Sequence, residues 1–186
     1  MRIVGGSLRG RALEAPRSQA IRPTTDRARE SLFNVLAHRF AGQIEGARVL
    51  DVFSGTGALG IEALSRGAAF CLFIEESVEG RGLVRQNIEA LGLTGRSKLF
   101  RRDATALGAA GTLGQFSVLF ADPPYGKGLG GAALASARDG GWLAPGALCV
   151  VEEANGAPFD PGHGFQEVER KSYGDTDIRF IEVTGL

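Results

Sequence analysis

The feature that most constrains the fold is an alternation of strand and helix patterns that begins at residue 48. The predicted strands are short and mostly apolar, and they cover residues 48–53, 69–74, 97–101, 116–121, 147–152, 165–172 and 177–184. The predicted helices cover residues 58–66, 78–91 and 129–138. This alternation is typical of an α/β protein with a mostly parallel sheet and helices on both faces. Because no helix separates the last two strands, one of them should run antiparallel.

The length and composition of the chain indicate one globular domain. Of its 186 residues, 44% are hydrophobic and 23% are charged, which is ordinary for a chain that buries a core. The longest apolar run, Ala68–Ile74, is far shorter than the roughly 20 residues of a membrane span. No signal-peptide pattern follows the first basic residues, and Cys71 and Cys149 lie in apolar stretches. We therefore expect a cytoplasmic protein with reduced cysteines and no membrane contact.

The N-terminal part of the chain differs in charge from the rest. Residues 1–40 contain eight arginines and three acidic residues, which gives a charge of +5, whereas residues 41–186 carry a charge of −5. A basic segment on an acidic body is the pattern expected of a nucleic-acid contact. A solvated surface in an arginine-rich protein would give the same pattern, so charge alone leaves both interpretations open.

Two further elements are predicted before the first strand. The Gly5-Gly6 pair lies between two short strand patterns, which indicates a β-hairpin within residues 1–17. Thr25 is a candidate N-cap, and the apolar residues after it repeat at helical spacing. Residues 26–40 should therefore form an amphipathic helix.

A glycine-rich turn follows the first of the alternating strands, where open α/β sheets bind their ligands. Residues 55–60 spell G-x-G-x-x-G, a pattern of dinucleotide-binding turns, which is a weak signal alone. Asp51 ends the strand ahead of this turn, and the spacing departs from the usual dinucleotide arrangement. A carboxylate at this position attracts a cation, such as the α-amino group of S-adenosylmethionine, and repels a pyrophosphate.

Acidic residues also follow the next two strands. Glu75 can accept hydrogen bonds from two ribose hydroxyls, and Asp103 can accept one from an adenine amino group. Each carboxylate alone is more simply explained as a solvated strand end or a helix cap. Three acids at the ends of three successive strands, beside one glycine-rich turn, favour an adenosyl ligand.

The sequence Asp122-Pro123-Pro124-Tyr125 follows the fourth strand. Two prolines first of all end a strand. They also fix a loop in which the Asp122 carboxylate and the Pro123 carbonyl can each accept one hydrogen of an exocyclic amine. The lone pair of that amine, otherwise delocalised into the base, would then point toward a methyl donor. Tyr125 can stack on the base, and Asp122 can stabilise developing positive charge.

These stretches resemble the RsmD family, bacterial S-adenosylmethionine-dependent enzymes that methylate the guanine N2 amine in 16S rRNA. The matching stretches extend over nearly the whole chain, at residues 2–6, 9–13, 22–34, 51–68, 120–125 and 173–176. The resemblance implies a Rossmann-like class I methyltransferase fold with a seven-stranded, mostly parallel sheet and helices on both faces. An N-terminal β-hairpin and helix would precede that sheet.

The resemblance also implies S-adenosylmethionine as cofactor and assigns roles to the motif residues. The residues expected to bind the cofactor are Asp51, Phe53, Gly55, Gly57, Glu75, Asp103 and Ala104. The residues expected to hold the target guanine and act in catalysis are Asp122, Pro123, Pro124 and Tyr125. Because the chain has two histidines and no paired cysteines, no metal site is expected.

The basic segment is expected to bind RNA. We divide the chain into an RNA-binding extension, residues 1–43, and a methyltransferase domain, residues 44–186. The expected RNA contacts are Arg2, Arg9, Arg11, Arg22, Arg27 and Arg29. The expected partner is 16S rRNA within an assembling small ribosomal subunit, and the protein is expected to act as a monomer. Deletion of residues 1–20 should weaken RNA binding and spare cofactor binding.

Three other functions are compatible with single features. A DNA adenine-N6 methyltransferase shares the Asp-Pro-Pro-Tyr chemistry, but this chain leaves no evident room for a sequence-reading domain. A dinucleotide-dependent oxidoreductase would use the glycine-rich turn and has no use for Asp122–Tyr125. A non-catalytic RNA-binding or assembly factor could keep the fold, although the presence of Asp51, Asp122 and Tyr125 argues against it.

Overall fold

The helices and strands follow one another in the predicted order. The computed structural model describes residues 1–21 and 23–185. Its helices are α1 (Asp26–Arg39), α2 (Ala58–Ser65), α3 (Val78–Ala90) and α4 (Leu129–Asp139). Its strands are β1 (Arg48–Val52), β2 (Phe70–Ile74), β3 (Ser97–Phe100), β4 (Phe116–Ala121), β5 (Leu143–Ala154), β6 (Phe165–Tyr173) and β7 (Thr176–Val183). β5 begins earlier than predicted, because Leu143 pairs with Phe116 across an irregularity in the β4–β5 register.

The strands form one seven-stranded sheet in the order β3-β2-β1-β4-β5-β7-β6. β1 pairs in parallel with β2 and with β4, β2 pairs in parallel with β3, and β4 pairs in parallel with β5. β7 runs antiparallel to both of its neighbours, β5 and β6, which confirms the predicted reversal near the C-terminus. The parallel pairs bring the C-terminal ends of β1, β2 and β4 together at one edge of the sheet.

Helices cover both faces of this sheet. One face packs against α1, α2 and α3 through buried residues such as Leu36 and Ile61. The other face packs against α4 through residues such as Leu134. Cys71 and Cys149 are buried free thiols in these two layers, as their apolar surroundings predicted. No helix in the described ranges has the length and apolar character needed to cross a membrane.

The start of α1 brings the N-terminal part of the chain to the ligand-binding edge of the sheet. Thr25 has an extended backbone, and its Oγ1 accepts a hydrogen bond from the Ala28 amide at 3.1 Å, which confirms the predicted N-cap. The helix is held against β4 by packing of the Phe33 ring on the Phe120 ring, with centroids 5.7 Å apart. Residue Thr24, just before the cap, therefore lies beside the end of β4.

The N-terminal segment is folded back on itself, but its turn is not the predicted one. The described ladder contains a single antiparallel bridge, Arg2↔Ala12, with additional backbone hydrogen bonds between residues 1–3 and 10–13. The chain reverses over residues 7–10, whereas the Gly5-Gly6 pair lies against α2. A Cβ atom at Gly6 would collide with the backbone carbonyl of Ser65. The glycine pair therefore permits close packing on α2 instead of forming a two-residue hairpin turn.

A buried carboxylate on α2 fastens this segment to the main sheet. Glu62 has no solvent exposure, and its carboxylate accepts hydrogen bonds from the backbone amides of Val4 and Gly5 at 3.0 and 2.9 Å. The same carboxylate pairs with Arg29 at 3.3 Å and with Arg66 at 2.8 Å. Burial costs the carboxylate its hydration, and these four partners offset that cost.

The network corrects the predicted role of Arg29. Arg29 is fully buried on α1, and its guanidinium also donates to Asp26 at 2.8 Å and to the Arg2 carbonyl. A side chain that is enclosed in this way cannot reach RNA phosphates. The helical spacing of the apolar residues shows that Arg29 lies within one turn of core residues. The sequence does not show that Glu62 lies opposite Arg29.

The structure also disagrees with the expectation that residues 1–20 can be deleted without effect on the rest of the protein. Ile3 and Leu13 are buried in the same core cluster as the residues of α1 and α2. Removal of this segment would expose that core and leave the Glu62 carboxylate without two of its amide donors. Residues 1–43 and 44–186 thus share one core.

We expect the substitution Glu62→Gln to destabilise the protein by about 3–5 kcal/mol, because it removes the fully buried counter-charge of Arg29 and leaves that guanidinium with the partly exposed Asp26 carboxylate. The measurement is the free energy of unfolding in urea. Glu89→Gln is a matched control, since Glu89 is an exposed residue of α3, and it should change stability by less than about 0.5 kcal/mol. A Glu62→Gln protein as stable as this control would show that the ion network does not hold the segment in place.

Candidate active site

A cavity of about 730 Å³ lies at the edge where β1, β2 and β4 end. Its volume is in the range of cavities that enclose small molecules and cofactors. Most of the predicted site residues line it, namely Asp51, Phe53, Gly55, Glu75, Asp103, Ala104, Asp122, Pro123, Pro124 and Tyr125. The structure therefore brings together residues from four separate parts of the sequence.

The turn after β1 combines a strained residue with a left-handed glycine. Phe53 has φ 53°, and it is the one non-glycine residue in the described part of the chain with a positive φ. Such strain is held in place at ligand-binding sites more often than elsewhere. Gly57 has φ 81° and caps α2, but it does not line the cavity. It packs beneath the turn, where a Cβ would meet Phe73 and Val84 at 3.3 Å, and both of its chain neighbours line the cavity, so its cofactor contact stays a prediction.

Asp51 is a buried carboxylate in this cavity. Its Oδ2 accepts a hydrogen bond from the Gly60 amide at 3.0 Å. Helix α2 lies so close to the sheet here that a Cβ atom added to Gly60 would be 2.6 Å from the Cys71 sulfur. Burial raises the pKa of Asp51 well above its ordinary value, the Gly60 hydrogen bond opposes this shift, and the negative charges of Asp122 and Glu75 add to it. A cation in the cavity would relieve this unfavourable charge.

Glu75, at the end of β2, holds the glycine-rich turn in place. One carboxylate oxygen accepts from the Gly55 amide at 2.7 Å, and the other accepts from the Ser77 amide at 2.9 Å. Each carboxylate oxygen keeps a second lone pair, and Glu75 lines the cavity. The side chain can therefore brace the turn and still accept hydrogen bonds from two ligand hydroxyls.

Asp103 and Ala104 form the far end of the cavity, after β3. Asp103 is exposed, and hydrogen bonds from the Thr105 hydroxyl and amide, at 2.7 and 2.8 Å, lower its pKa. Ala104 is buried and provides apolar surface next to it. This end of the cavity thus offers an ionised acceptor beside an apolar wall, which suits an adenine ring with its amino group.

Asp122 lies where the first cavity meets a second one. It is half-buried, and its Oδ2 accepts a hydrogen bond from the Thr24 hydroxyl at 3.1 Å. The second cavity, of about 520 Å³, lies between the N-terminus of α1 and the ends of β4, β5 and β7, and Asp122 lines both cavities. Tyr125 is held by a hydrogen bond of 3.0 Å between its hydroxyl and that of Thr176. This bond fixes the position of the Tyr125 ring beside Asp122.

Residues 17–21 form a part of the site that no motif in the sequence indicated. Ala20 and Ile21 line the first cavity, and Thr24 lines both cavities. The segment is tied to α3 because the Glu79 carboxylate accepts hydrogen bonds from the backbone amides of Arg17 and Ser18, at 2.9 and 3.0 Å, and from the Ser18 hydroxyl. Nothing in the local sequence pattern indicates that residues so far from the glycine-rich turn close over it.

The predicted RNA-binding arginines occupy different environments. Arg2, Arg9, Arg11 and Arg27 are exposed, and Arg27 also lines the second cavity. The Arg2 and Arg11 guanidinium groups each donate to a backbone carbonyl, of Gly10 at 2.8 Å and of Ala90 at 3.2 Å. Arg22 lies outside the described residues, and Arg29 is enclosed in the Glu62 network.

Comparison with known proteins places the chain in a family. The family model described as "Conserved hypothetical protein 95" matches residues 1–182. Ribosomal RNA small subunit methyltransferase D of Escherichia coli (strain K12) is 42% identical over 168 residues, which cover 88% of this chain and 80% of that protein. The chain belongs to this family. The resemblance to the RsmD family predicted from the sequence is thereby confirmed.

Solved structures show the same fold. The Escherichia coli methyltransferase yhhF has a TM-score of 0.84 at 34% identity, with 100% of this chain and 99% of that chain covered. The 16S rRNA N2 G1207 methyltransferase RsmC of Thermus thermophilus, in complex with AdoMet and guanosine, has a TM-score of 0.68 at 21% identity and covers 98% of this chain and 49% of that chain. The Rossmann-like methyltransferase fold is confirmed, and the predicted methyltransferase class agrees with the family.

The residues of the first cavity fit S-adenosylmethionine. Asp51 would face the cationic methionine part, Glu75 the ribose and Asp103 the adenine. The same carboxylates argue against a dinucleotide, because a pyrophosphate would lie among negative charges. In the described ranges, no group of three or more histidine, cysteine or acidic side chains is arranged to hold a metal ion.

We expect Asp51→Asn to stabilise the ligand-free protein at neutral pH by about 0.5–2 kcal/mol. Between the ordinary pKa of an unfolded aspartate, 3.8, and the raised pKa in the folded state, the folded protein binds more protons than the unfolded one. Wild-type stability therefore falls as the pH rises through this window, and the advantage of the variant should shrink as the pH is lowered. Urea unfolding between about pH 4 and about pH 8 measures both quantities.

The same Asp51→Asn variant should bind S-adenosylmethionine more weakly, by about 1.5–3 kcal/mol in calorimetry, since a carboxylate partner of the cationic ligand is lost. If the variant gained no stability at neutral pH, the buried charge of Asp51 would not carry the energetic cost that its position indicates.

Proposed function

We propose that this protein transfers a methyl group from S-adenosylmethionine to the exocyclic N2 amine of a guanine in 16S rRNA. Family membership supports the substrate class, because a relative of 42% identity is named a ribosomal RNA small subunit methyltransferase. The structurally similar RsmC, whose complex contains AdoMet and guanosine, supports the cofactor and the N2 position. We further propose that the protein acts as a cytoplasmic monomer, without a metal, on 16S rRNA in an assembling small subunit.

The observation that carries this proposal is the position of Asp122 at the junction of two cavities. The first cavity has acceptors suited to a cationic adenosyl ligand. The second is large enough for a purine base and opens between α1 and the strand ends. A group at the junction can hold an atom of a base next to the reactive end of a cofactor, which is the geometry that methyl transfer requires.

Bound S-adenosylmethionine would supply an electrophilic methyl group, and the protein would supply the orientation of the amine. The Asp122 carboxylate and the Pro123 carbonyl can each accept one amine hydrogen, which draws the nitrogen toward tetrahedral geometry and frees its lone pair. The hydrogen bond from Thr24 to Asp122 Oδ2 fixes the orientation of that carboxylate. The amine nitrogen becomes positively charged and acidic on methylation, and Asp122 stabilises this charge until the proton leaves to water.

The Asp122 loop is held from both sides, which makes its acceptors preorganised. Pro123 is buried against the sheet, and the Tyr125 hydroxyl is bonded to Thr176 on β7. The Glu153 carboxylate accepts a hydrogen bond from the Gly126 amide at 2.9 Å, directly after the loop. Tyr125 lines the first cavity, and its partner Thr176 lines the second. Its ring can then stack on a base that is turned out of folded RNA and reaches the junction of the two cavities.

We expect Asp122→Ala to lower the rate of methyl transfer by at least about 100-fold, because the group that orients the amine and stabilises its charge is removed. Affinity for S-adenosylhomocysteine should change little, since the other cofactor contacts remain. Transfer of labelled methyl to 16S rRNA from cells lacking the protein, with mapping of the modified atom, measures the first quantity, and calorimetry measures the second. A fully active variant would exclude this mechanism, and methylation of another atom would exclude the N2 assignment.

We expect the double substitution of Arg9 and Arg27 by Gln to weaken RNA binding and reduce its salt dependence. Each phosphate contact that is lost should lower the slope of log affinity against log salt by about 0.7–0.9. Titration of 16S rRNA at several salt concentrations gives this slope. The double substitution of Arg85 and Arg170 by Gln, two exposed arginines of α3 and β6, is the matched control. Equal slopes for the two variants would show that the N-terminal part is not the RNA-binding surface.

A further inference from the structure

A second acidic side chain, Glu152, lines the second cavity next to Asp122. It lies on β5, and neither the motifs in the sequence nor the chemistry described above assigns it a role. Glu152 is only 5% exposed, so its carboxylate is largely removed from bulk water although it borders a cavity. A carboxylate in such a position discriminates strongly between ligands that offer it a hydrogen-bond donor and ligands that do not.

The strand register places Glu152 and Asp122 side by side. Ala121 of β4 pairs with Val151 of β5 in the parallel ladder, so Asp122 and Glu152 are the next residues on two neighbouring strands. Neighbouring strands lie about 4.8 Å apart, and side chains at equivalent positions point to the same face. Phe120 and Val150, two residues earlier on each strand, belong to the core cluster that α1 covers. Both carboxylates therefore face the second cavity, beneath the N-terminus of α1.

This pair of carboxylates distinguishes among the bases that carry an amino group. Adenine and cytosine each have a ring nitrogen beside the carbon that carries the amino group, on the Watson–Crick edge: N1 in adenine and N3 in cytosine. This nitrogen has a lone pair and accepts hydrogen bonds. In guanine, the corresponding ring atom is N1–H, which donates. A base whose amine is held by Asp122 can present this ring atom to Glu152, the neighbouring carboxylate on the cavity wall. A carboxylate there attracts the guanine N1–H and repels the lone pair of the other two bases.

We propose that Glu152 is the residue that selects guanine, by accepting a hydrogen bond from N1–H while Asp122 holds the N2 amine. This inference rests on the proposed function, since it concerns the base that occupies the same site. It explains how an Asp-Pro-Pro-Tyr loop, whose chemistry suits any exocyclic amine, is restricted to one base. Glu152 touches the base in this arrangement, but it does not take part in the transfer of the methyl group.

The experiment compares guanine with 2,6-diaminopurine at the methylated position of 16S rRNA, joined from fragments and assembled into small subunits. The analogue keeps the N2 amine but has a lone pair at N1. The wild-type protein should methylate the guanine RNA at least about tenfold faster, because the analogue loses the hydrogen bond to Glu152. In Glu152→Gln, the side-chain amide can donate to that lone pair. The ratio of the rate on guanine RNA to the rate on analogue RNA should therefore fall about tenfold.

Glu153→Gln is the matched control, because Glu153 is the adjacent acid on β5 and its carboxylate bonds the amides of Gly126 and Ala154. Its rate of methyl transfer can differ from that of the wild type, but its ratio of guanine rate to analogue rate should be the same. An unchanged ratio in Glu152→Gln would overturn the proposal. If that variant fails to bind S-adenosylhomocysteine and is therefore misfolded, equal rates of the wild-type protein on the two RNAs would overturn it instead. A wild-type protein that methylates no guanine N2 amine would overturn the proposed function itself.

Discussion

The parallel pairing of β1 with β2 and β4 is the constraint on which the rest of the structure depends. In this register Asp51 lies opposite Phe73 on one side and Phe120 on the other, so the three strands end at the same level. Each strand has its own polar group at its C-terminal end or directly after it, and these groups therefore meet at one edge. The pairing of β4 with β5 extends the edge to Glu152. A shift of any strand by one residue would turn these side chains to the opposite face.

The concentration of carboxylates at this edge has an electrostatic cost that a bound cation would lower. Asp51 is buried, and its pKa is raised first by burial and then by the charges of Asp122 and Glu75. A site that is electrostatically unfavourable when empty binds a cation strongly, because binding removes the repulsion. Glu62 illustrates the opposite arrangement. It is equally buried, but arginines and backbone amides surround it, and it serves to hold the N-terminal segment on α2.

The N-terminal segment thus belongs to the site as well as to the core. Its residues 17–21 are held by Glu79 and cover the first cavity, and Thr24 bonds to Asp122. The arginines that remain exposed, such as Arg9 and Arg27, lie on the same segment. Arg27 also lines the second cavity, so an RNA chain that it binds would lie next to that cavity, whereas Arg9 lies in the turn that packs near the C-terminal end of α2.

The sequence by itself determined the helices and strands of the sheet, the fold class and which polar residues lie at the strand ends, since apolar periodicity, turn residues and the Asp-Pro-Pro-Tyr motif are local properties. It could not determine how Arg29 would be used, because a helical arginine faces either solvent or a buried acid, and Glu62 lies far away in the sequence. For the same reason, the sequence did not show that residues 17–21 cover the first cavity or that Glu152 on β5 lies next to Asp122. Only the tertiary structure decided these points, because they depend on which distant strands and helices become neighbours.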